Sequence, residues 1–267
     1  MNLGFIGCGV MANAIMGGVI RAGLYTPDQI WGADPAEGSR KKTADANGIH
    51  VTADNNEVIR NCGTVFFAVK PQYYDGMIDG IRDQVRDDQL FISIGAGRTL
   101  DYLAEKFGKP VKIIRVMPNT PAQVGEGMSA ACPNEYVTEE ETERGLKILR
   151  AFGKAEIMPE SLFDIVTGVS GSGPAYVFMF IEAMADAAVN GGMKRDQAYI
   201  FAAQTVLGSA KMVLDTGKHP GALKDMVTSP AGTTIAGVRA LEKGGLRSTV
   251  FEGVMAATDK SAEMRKG

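Results

Sequence analysis

The stretch Leu3-Gly-Phe-Ile-Gly-Cys-Gly-Val-Met-Ala12 joins a short apolar strand to an apolar helix through a glycine-rich turn. Gly7 permits the tight turn, Gly9 lets the backbone approach a pyrophosphate, and small Ala12 lets the helix pack closely on a sheet. The amides at the helix start, with its positive dipole end, suit an anion. Ile6, Gly7, Cys8, Gly9, Val10, Met11 and Ala12 therefore read as a dinucleotide seat at the first turn of a Rossmann sheet. Residues 3–20 also have the apolarity of a leader or a spanning segment. No basic run precedes them, however, and Gly4, Gly7, Gly9, Gly17 and Gly18 disfavour a stable hydrophobic helix.

Outward from this turn, strand-like runs alternate with helical patterns. Residues 2–6, 30–33, 64–69, 90–94 and 111–116 read as strands, and His50 opens a further one. Residues 11–22, 37–47, 73–85 and 100–107 read as helices. That alternation implies βαβ units and a mostly parallel sheet covered on both faces. A strand at 127–132, a helix at 139–152 and a strand at 155–158 are expected to complete the sheet's edge. Beyond that point the pattern is helical, over 176–189, 195–214, 233–243 and 249–264. The expected fold class is α/β, with a dinucleotide-binding domain over 1–160 and an all-α substrate-binding and dimerisation domain over 161–267.

The helix from Tyr176 is apolar nearly all round, with Val177, Phe178, Phe180, Ile181, Ala183 and Met184 leaving little polar face. Such a helix is buried. A unit of about a hundred residues buries it poorly alone, so helices of a second subunit are expected to enclose it. The alternative is a Met- and Ala-rich core within one subunit.

The 267 residues are 45% hydrophobic and 22% charged, with a net charge of −3, an ordinary globular composition without a basic stripe for nucleic acid. Cys8, Cys62 and Cys132 lack CxxC spacing, and only His50 and His219 accompany them. A reduced, metal-free, cytoplasmic protein without membrane or nucleic-acid partners is the economical expectation.

Several residues are placed to carry chemistry. Asp34 ends the second strand, where an acid bonds ribose hydroxyls and repels a 2′-phosphate. Arg40, Lys41 and Lys42 nearby would instead attract that phosphate, so NADH and NADPH both stay open. Lys70 and Pro71 end a strand at the sheet's carboxyl edge, where ligands of open α/β folds bind; the other role for Lys70 is a surface charge. Ser93-Ile-Gly-Ala-Gly97, which contains Ala96 and Gly97, offers small residues beside which a flat ring could lie. Asn119, between two prolines, points either at ligand or at its own backbone. Thr167-Gly-Val-Ser-Gly-Ser-Gly-Pro174 reads as a glycine and serine loop. Thr228, Ser229, Thr233 and Thr234 put four hydroxyls at a helix N-terminus, more than one cap needs, which suits a carboxylate. His219, before Pro220-Gly221, reads as a turn or helix-end residue.

Taken together, Gly7-x-Gly-x-Met-Ala12, Val69-Lys-Pro-Gln72, Arg115-x-Met-Pro-Asn-Thr-Pro121, Ser170-Gly-Ser-Gly-Pro-Ala-Tyr176, His219-Pro-Gly-x-Leu-Lys-Asp225 and Thr228-Ser-Pro230 resemble the pyrroline-5-carboxylate reductases, in register from residue 3 to about 260. The resemblance implies a Rossmann domain and a helical domain that interlocks in dimers, often assembled into larger rings. It implies reduction of the cyclic imine L-1-pyrroline-5-carboxylate to L-proline by NADPH or NADH, the last step of proline biosynthesis. It places the pyrophosphate on Gly7 to Ala12 and the adenosine ribose on Asp34 and Asn55. Val69, Lys70, Pro71, Ala96 and Gly97 fall on the nicotinamide arm. The substrate carboxylate falls on Ser229, Gly232, Thr233 and Thr234, with Glu160 near the ring nitrogen. The sequence departs from the family at Ala231, where Gly is common, and at Met226, where some relatives carry Asn.

This chemistry needs no metal, triad or Schiff-base lysine, because a protonated imine is already a strong electrophile. Thr234 is the candidate catalytic residue, although a neutral threonine is a poor acid and solvent is the favoured proton source. Two other readings compete. A β-hydroxyacid dehydrogenase-like enzyme would carry a lysine on the helix after the Gly-Ser segment, whereas Lys194 falls beyond Gly191-Gly192. A non-catalytic NAD(P)-sensing protein would have no use for the hydroxyls at 228–234.

Overall fold

The computed structural model describes residues 1–266. Contacts divide the chain into two compact units, Met1–Gly171 together with the residues from Ala257 onward, and Ser172–Ala256. Residues 161–171, read with the helical half from the sequence, pack in the first unit. Glu160 pairs with Arg115 at 2.7 Å, and the Asn119 amide donates to the Ser170 carbonyl at 3.0 Å. From the last helix, Ser261 bonds Asp164 at 2.9 Å and Arg265 pairs with it at 3.1 Å.

The first unit runs β1 (Leu3–Ile6), α1 (Val10–Arg21), β2 (Ile30–Ala33), α2 (Glu37–Asn47), β3 (His50–Thr52), α3 (Asn55–Asn61), β4 (Thr64–Phe67), α4 (Tyr74–Ile81), β5 (Leu90–Ser93), α5 (Leu100–Phe107), β6 (Lys112–Met117), β7 (Gly127–Pro133), α6 (Glu139–Arg150), β8 (Gly153–Ile157) and α7 (Phe163–Val166). Among the described residues eight strands form one sheet, in the order β3-β2-β1-β4-β5-β6-β7-β8. Only the β6–β7 pair is antiparallel. The strand order reverses between β1 and β4, which opens a crevice at their carboxyl ends.

Helices cover both faces of this sheet, so its central strands are apolar on successive residues. In β4, Phe66 stacks on Phe5 at 4.9 Å towards the α1 and α6 side. Phe67 turns the other way and stacks on Phe91 at 5.0 Å, over α3, α4 and α5. Gly48 and Gly108, at φ of 69° and 62°, end α2 and α5 in the left-handed conformation. Thr138 and Glu141 form a reciprocal capping box at the start of α6.

The second unit contains α8 (Gly173–Asn190), α9 (Arg195–Thr216), α10 (Pro220–Met226), α11 (Thr233–Lys243) and most of α12 (Leu246–Lys266). Pro174 lies in the first turn of α8 and Gly191 caps its end. The second unit's own core is small. Ala185, Ala198 and Ala202 form a buried seam between α8 and α9, flanked by Ile181, Met184 and Val189. Phe178 is 63% exposed, Met179 69% and Phe201 64%. The expected burial of α8 is therefore absent within one chain. An all-round apolar helix left open in its own subunit is an interface helix.

Three readings from the sequence are corrected. The Ser-Gly stretch is not a loop: Thr167–Gly171 forms a π-helical turn joining α7 to α8, in which Ser170 and Thr167 bond the Val166 and Phe163 carbonyls. α3 and α10 went unread, because each is only seven residues long and too short to show a period. Asn119 neither faces a ligand nor closes its own turn. Its Oδ1 accepts from the Met128 amide at 2.8 Å, and it staples the sheet edge to the π-turn. Among the described residues, no helix is long and apolar enough to cross a membrane.

Candidate functional site

A cavity of about 840 Å³ occupies the crevice between β1 and β4, a size suited to a nucleotide. Ile6, Gly7, Gly9, Asp34, Asn55, Val69 and Lys70, all singled out from the sequence, line it. Gly7 has a φ of 100°, and a Cβ there would meet the Ala68 carbonyl at 2.7 Å. The β1 turn and the β4 exit can approach this closely only at glycine. A Cβ on Gly9 would meet nothing within 4 Å, so its backbone borders open space. Gly9 is also the N-cap of α1 and no side chain caps the helix, which leaves the first-turn amides for an anion. These features fit a dinucleotide pyrophosphate.

The remaining residues of the turn support it from behind. Cys8 is buried and its amide donates to Asp34 Oδ2 at 3.0 Å. Burial, aided by the Asp34 charge, pushes the Cys8 thiol up to about 11. Val10 is exposed at the helix start, Ala12 is buried against the sheet, and Met11 packs on the core. Asn13, in the second turn of α1, is the polar residue that secures this arrangement. Its amide reaches the Cys8 and Gly9 carbonyls at 3.0 and 2.9 Å and Thr43 at 3.0 Å, tying the glycine turn to α2. An asparagine one turn into such a helix was the available signal for that role.

The other side of the cavity is built on Tyr74, whose hydroxyl donates to the Phe67 carbonyl at 2.9 Å and pairs with Ser93 at 3.1 Å. Burial pushes this phenol up to about 12. Pro71 starts the turn after β4 and its carbonyl accepts from Arg98 Nε and Nη2 at 3.1 and 2.8 Å. Pro71, Ala96 and Gly97 stand outside the cavity lining, whereas Ser39, Gln72, Tyr73 and Met77 belong to it. Those four sit on helical turns facing the crevice, and no spacing rule in the sequence marked them.

Glu160 is engaged in structure: Oε1 accepts from Arg115 Nη1 at 2.7 Å and from the Leu100 amide at 2.8 Å. Arg115, 6% exposed, also stacks on the Phe163 ring at 4.5 Å.

The second unit holds the hydroxyl-lined segment. Gly232, not a hydroxyl residue, is the N-cap of α11, and no side chain caps that helix. Plain capping therefore does not account for Ser229, Thr233 or Thr234. The Thr228 hydroxyl is spent on the Lys224 carbonyl at 2.6 Å. The Gly232 amide closes a turn onto the Ser229 carbonyl at 3.1 Å, leaving the first amides of α11 outward. Ala231, third in that turn, has a φ of 56°, the only positive value at a non-glycine residue among those described. The third position of a type II turn demands this conformation, which explains why glycine suits it better. His219 is the N-cap of α10, and its Nδ1 accepts from the Gly221 amide at 3.0 Å.

Two family models match the chain. Residues 160–264 match the family model for pyrroline-5-carboxylate reductase dimerisation, and residues 2–97 match that for NADP oxidoreductase, coenzyme F420-dependent. The pyrroline-5-carboxylate reductase of Escherichia coli is 52% identical over 265 residues, covering 99% of this chain and 98% of the relative. The solved Coxiella burnetii pyrroline-5-carboxylate reductase superposes with a TM-score of 0.92 at 33% identity, covering 98% of each chain. The Plasmodium falciparum pyrroline carboxylate reductase, solved with NADP bound, gives 0.89 at 34% identity, covering 99% of this chain and 98% of that one. With an uncapped glycine turn in one unit, an uncapped hydroxyl-rich helix start in the other, and similarity along nearly its whole length, this chain belongs to the pyrroline-5-carboxylate reductase family.

Proposed function

We infer that the chain reduces L-1-pyrroline-5-carboxylate to L-proline with NAD(P)H, the closing step of proline biosynthesis. The observation that carries this reading is the 52% identity to the E. coli reductase over 99% of the chain. The two uncapped helix starts, at Gly9 and Gly232, supply its chemical sense.

In this reading the amides at the start of α1 hold the pyrophosphate, with Gly7 and Gly9 keeping the turn open. Asp34 and Asn55 bond the adenosine ribose. Val69, Lys70 and Pro71, with Ala96 and Gly97 after β5, flank the nicotinamide arm. A bound nicotinamide supplies the hydride. Ser229, Thr233, Thr234 and the first amides of α11 grip the substrate carboxylate and orient the imine carbon; the Gly232 amide closes the turn that presents them. Holding reacting atoms within about 3–3.5 Å is the main catalytic contribution required. The imine arrives protonated from solvent, and the Thr234 hydroxyl accepts a hydrogen bond from its N–H. Glu160, charge-matched by Arg115, positions the segment leading to the π-turn and stands near the substrate's ring nitrogen.

The helical unit self-associates through the open faces of α8 and α9, which supports an interlocked dimer and a ring of such dimers. The proposed setting is the cytoplasm, where the free thiols of Cys8, Cys62 and Cys132 stay reduced.

The test follows nicotinamide absorbance with pyrroline-5-carboxylate present. Oxidation of NADH or NADPH that depends on the imine is expected, and its absence with both overturns the reading. Thr234→Val should raise the substrate KM about tenfold by removing a polar contact to a charged ligand. An unchanged KM removes Thr234 from the site.

A further inference from the structure

We propose that Asp34 selects NADH over NADPH, an inference that rests on the cofactor seat assigned above. Asp34 stands one residue beyond β2 and lines the cavity. Both of its oxygens are held by backbone: Oδ2 accepts from the Cys8 amide at 3.0 Å and Oδ1 from the Ala36 amide at 2.9 Å. The carboxylate is thereby fixed at the mouth of the ribose site and cannot swing aside without orphaning two amides. It still has lone pairs to accept two ribose hydroxyls. A 2′-phosphate offers it no donor and brings a charge of like sign.

The neighbouring cations do not offset this. Arg40 turns its Nη1 to the carbonyls of Asp34 and Pro35, at 2.7 and 2.9 Å. Lys41 pairs with Asp45 at 2.8 Å, on the exposed side of α2. Lys42 is not part of the cavity lining and borders an adjoining depression between α1 and α2. Lys70 is the only basic residue of the cavity lining, and it follows β4, on the far side of β1 from β2. Two strand spacings separate those ends by roughly 10 Å. The negative charge lies where the 2′-phosphate would fall, and the guanidinium nearest to it, that of Arg40, is bonded to two backbone carbonyls.

The closing experiment titrates the full chain with NADH and with NADPH, without substrate. It follows quenching of Trp31, the chain's one tryptophan, which lies within β2. NADH should bind about tenfold or more tightly than NADPH, as expected for one desolvated like-charge contact. Asp34→Ser and the isosteric Asp34→Asn should each narrow that ratio to within about threefold, chiefly by strengthening NADPH binding. Equal or tighter binding of NADPH by the unmodified chain overturns the proposal. So does an unchanged ratio in a variant whose circular dichroism matches the parent. Turnover separates this inference from the proposed function. Imine-dependent oxidation of NADPH as efficient as that of NADH sinks the selectivity and keeps the reductase. The binding ratio without imine reduction keeps the selectivity and sinks the reductase.

Discussion

Phe66 and Phe178 are the same residue type in two different physical situations. Phe66, in the middle of the sheet, is fully buried, stacked on Phe5 and covered by helices. Phe178, on α8, is 63% exposed, in a row with Val177, Met179 and Phe180. The sheet unit closes its core with its own side chains, whereas the helical unit keeps only an alanine seam inside and turns its large apolar groups outward. Burying one such side chain is worth about 1.5–3 kcal/mol, so leaving a row of them open is costly unless another chain covers them. The nucleotide seat belongs to a self-sufficient unit, and the hydroxyl-lined segment belongs to one that needs a partner.

That contrast is open to attack from both sides. The largest effect is expected at the open face. Phe178→Asp together with Phe201→Asp should convert the assembly to monomer in sedimentation velocity, while leaving dinucleotide binding intact. Loss of dinucleotide binding in that monomer would show that the sheet unit is not self-sufficient. Next, Arg115→Met leaves Glu160 without its cation and removes a guanidinium stacked on Phe163. It should destabilise the sheet unit by about 3 kcal/mol in denaturant titration, without changing the oligomer. Gly7→Ala forces a Cβ into the Ala68 carbonyl at a φ of 100° and should cost about 2 kcal/mol. It should also weaken dinucleotide binding at least tenfold while leaving self-association alone.

The smallest effect concerns Glu141, at the start of α6. Burial disfavours its carboxylate, but the Lys112 ammonium at 2.7 Å and the Thr138 amide and hydroxyl outweigh that and lower its pKa. A lowered value means stabilisation that is full above the ordinary 4.5 and is lost as pH falls through the folded value. Glu141→Gln should therefore cost about 1 kcal/mol at pH 7 and progressively less as pH falls below 4.5, read from melting curves across that range. A penalty that persists in acid would mean that packing, not charge, holds α6 to β6.

The same contrast explains how much was legible beforehand. Residues 30–33, 37–47, 100–107 and 233–243 were read with the boundaries the structure has, because turn residues and caps flank each run. The β1 turn was legible because glycine at a φ of 100° is a local demand. Other lining residues were not, since Ser39, Tyr73 and Met77 come together only when β2 and β4 flank β1. Asn119 shows the limit most clearly: two flanking prolines marked a rigid polar loop, yet its partners lie 9 and 51 residues away. The start of α11 was only partly legible for a related reason. Four hydroxyls pointed to side-chain capping or ligand, while the backbone placed Gly232 at the cap and spent Thr228 elsewhere.

The sequence by itself determined the strand and helix alternation, the glycine turn, the family and the need for a second chain around α8. All but the family follow from spacing, side-chain volume or polarity within a few residues; the family was read from its resemblance to motifs spread along the chain. Tertiary structure alone decided where charge stands around the cavity. It clamped Asp34 between two amides, turned Arg40 to backbone carbonyls and bound Glu160 to Arg115. Whether an ionised side chain faces a ligand or a neighbour depends on which distant groups folding brings within hydrogen-bond reach, and no local pattern encodes that.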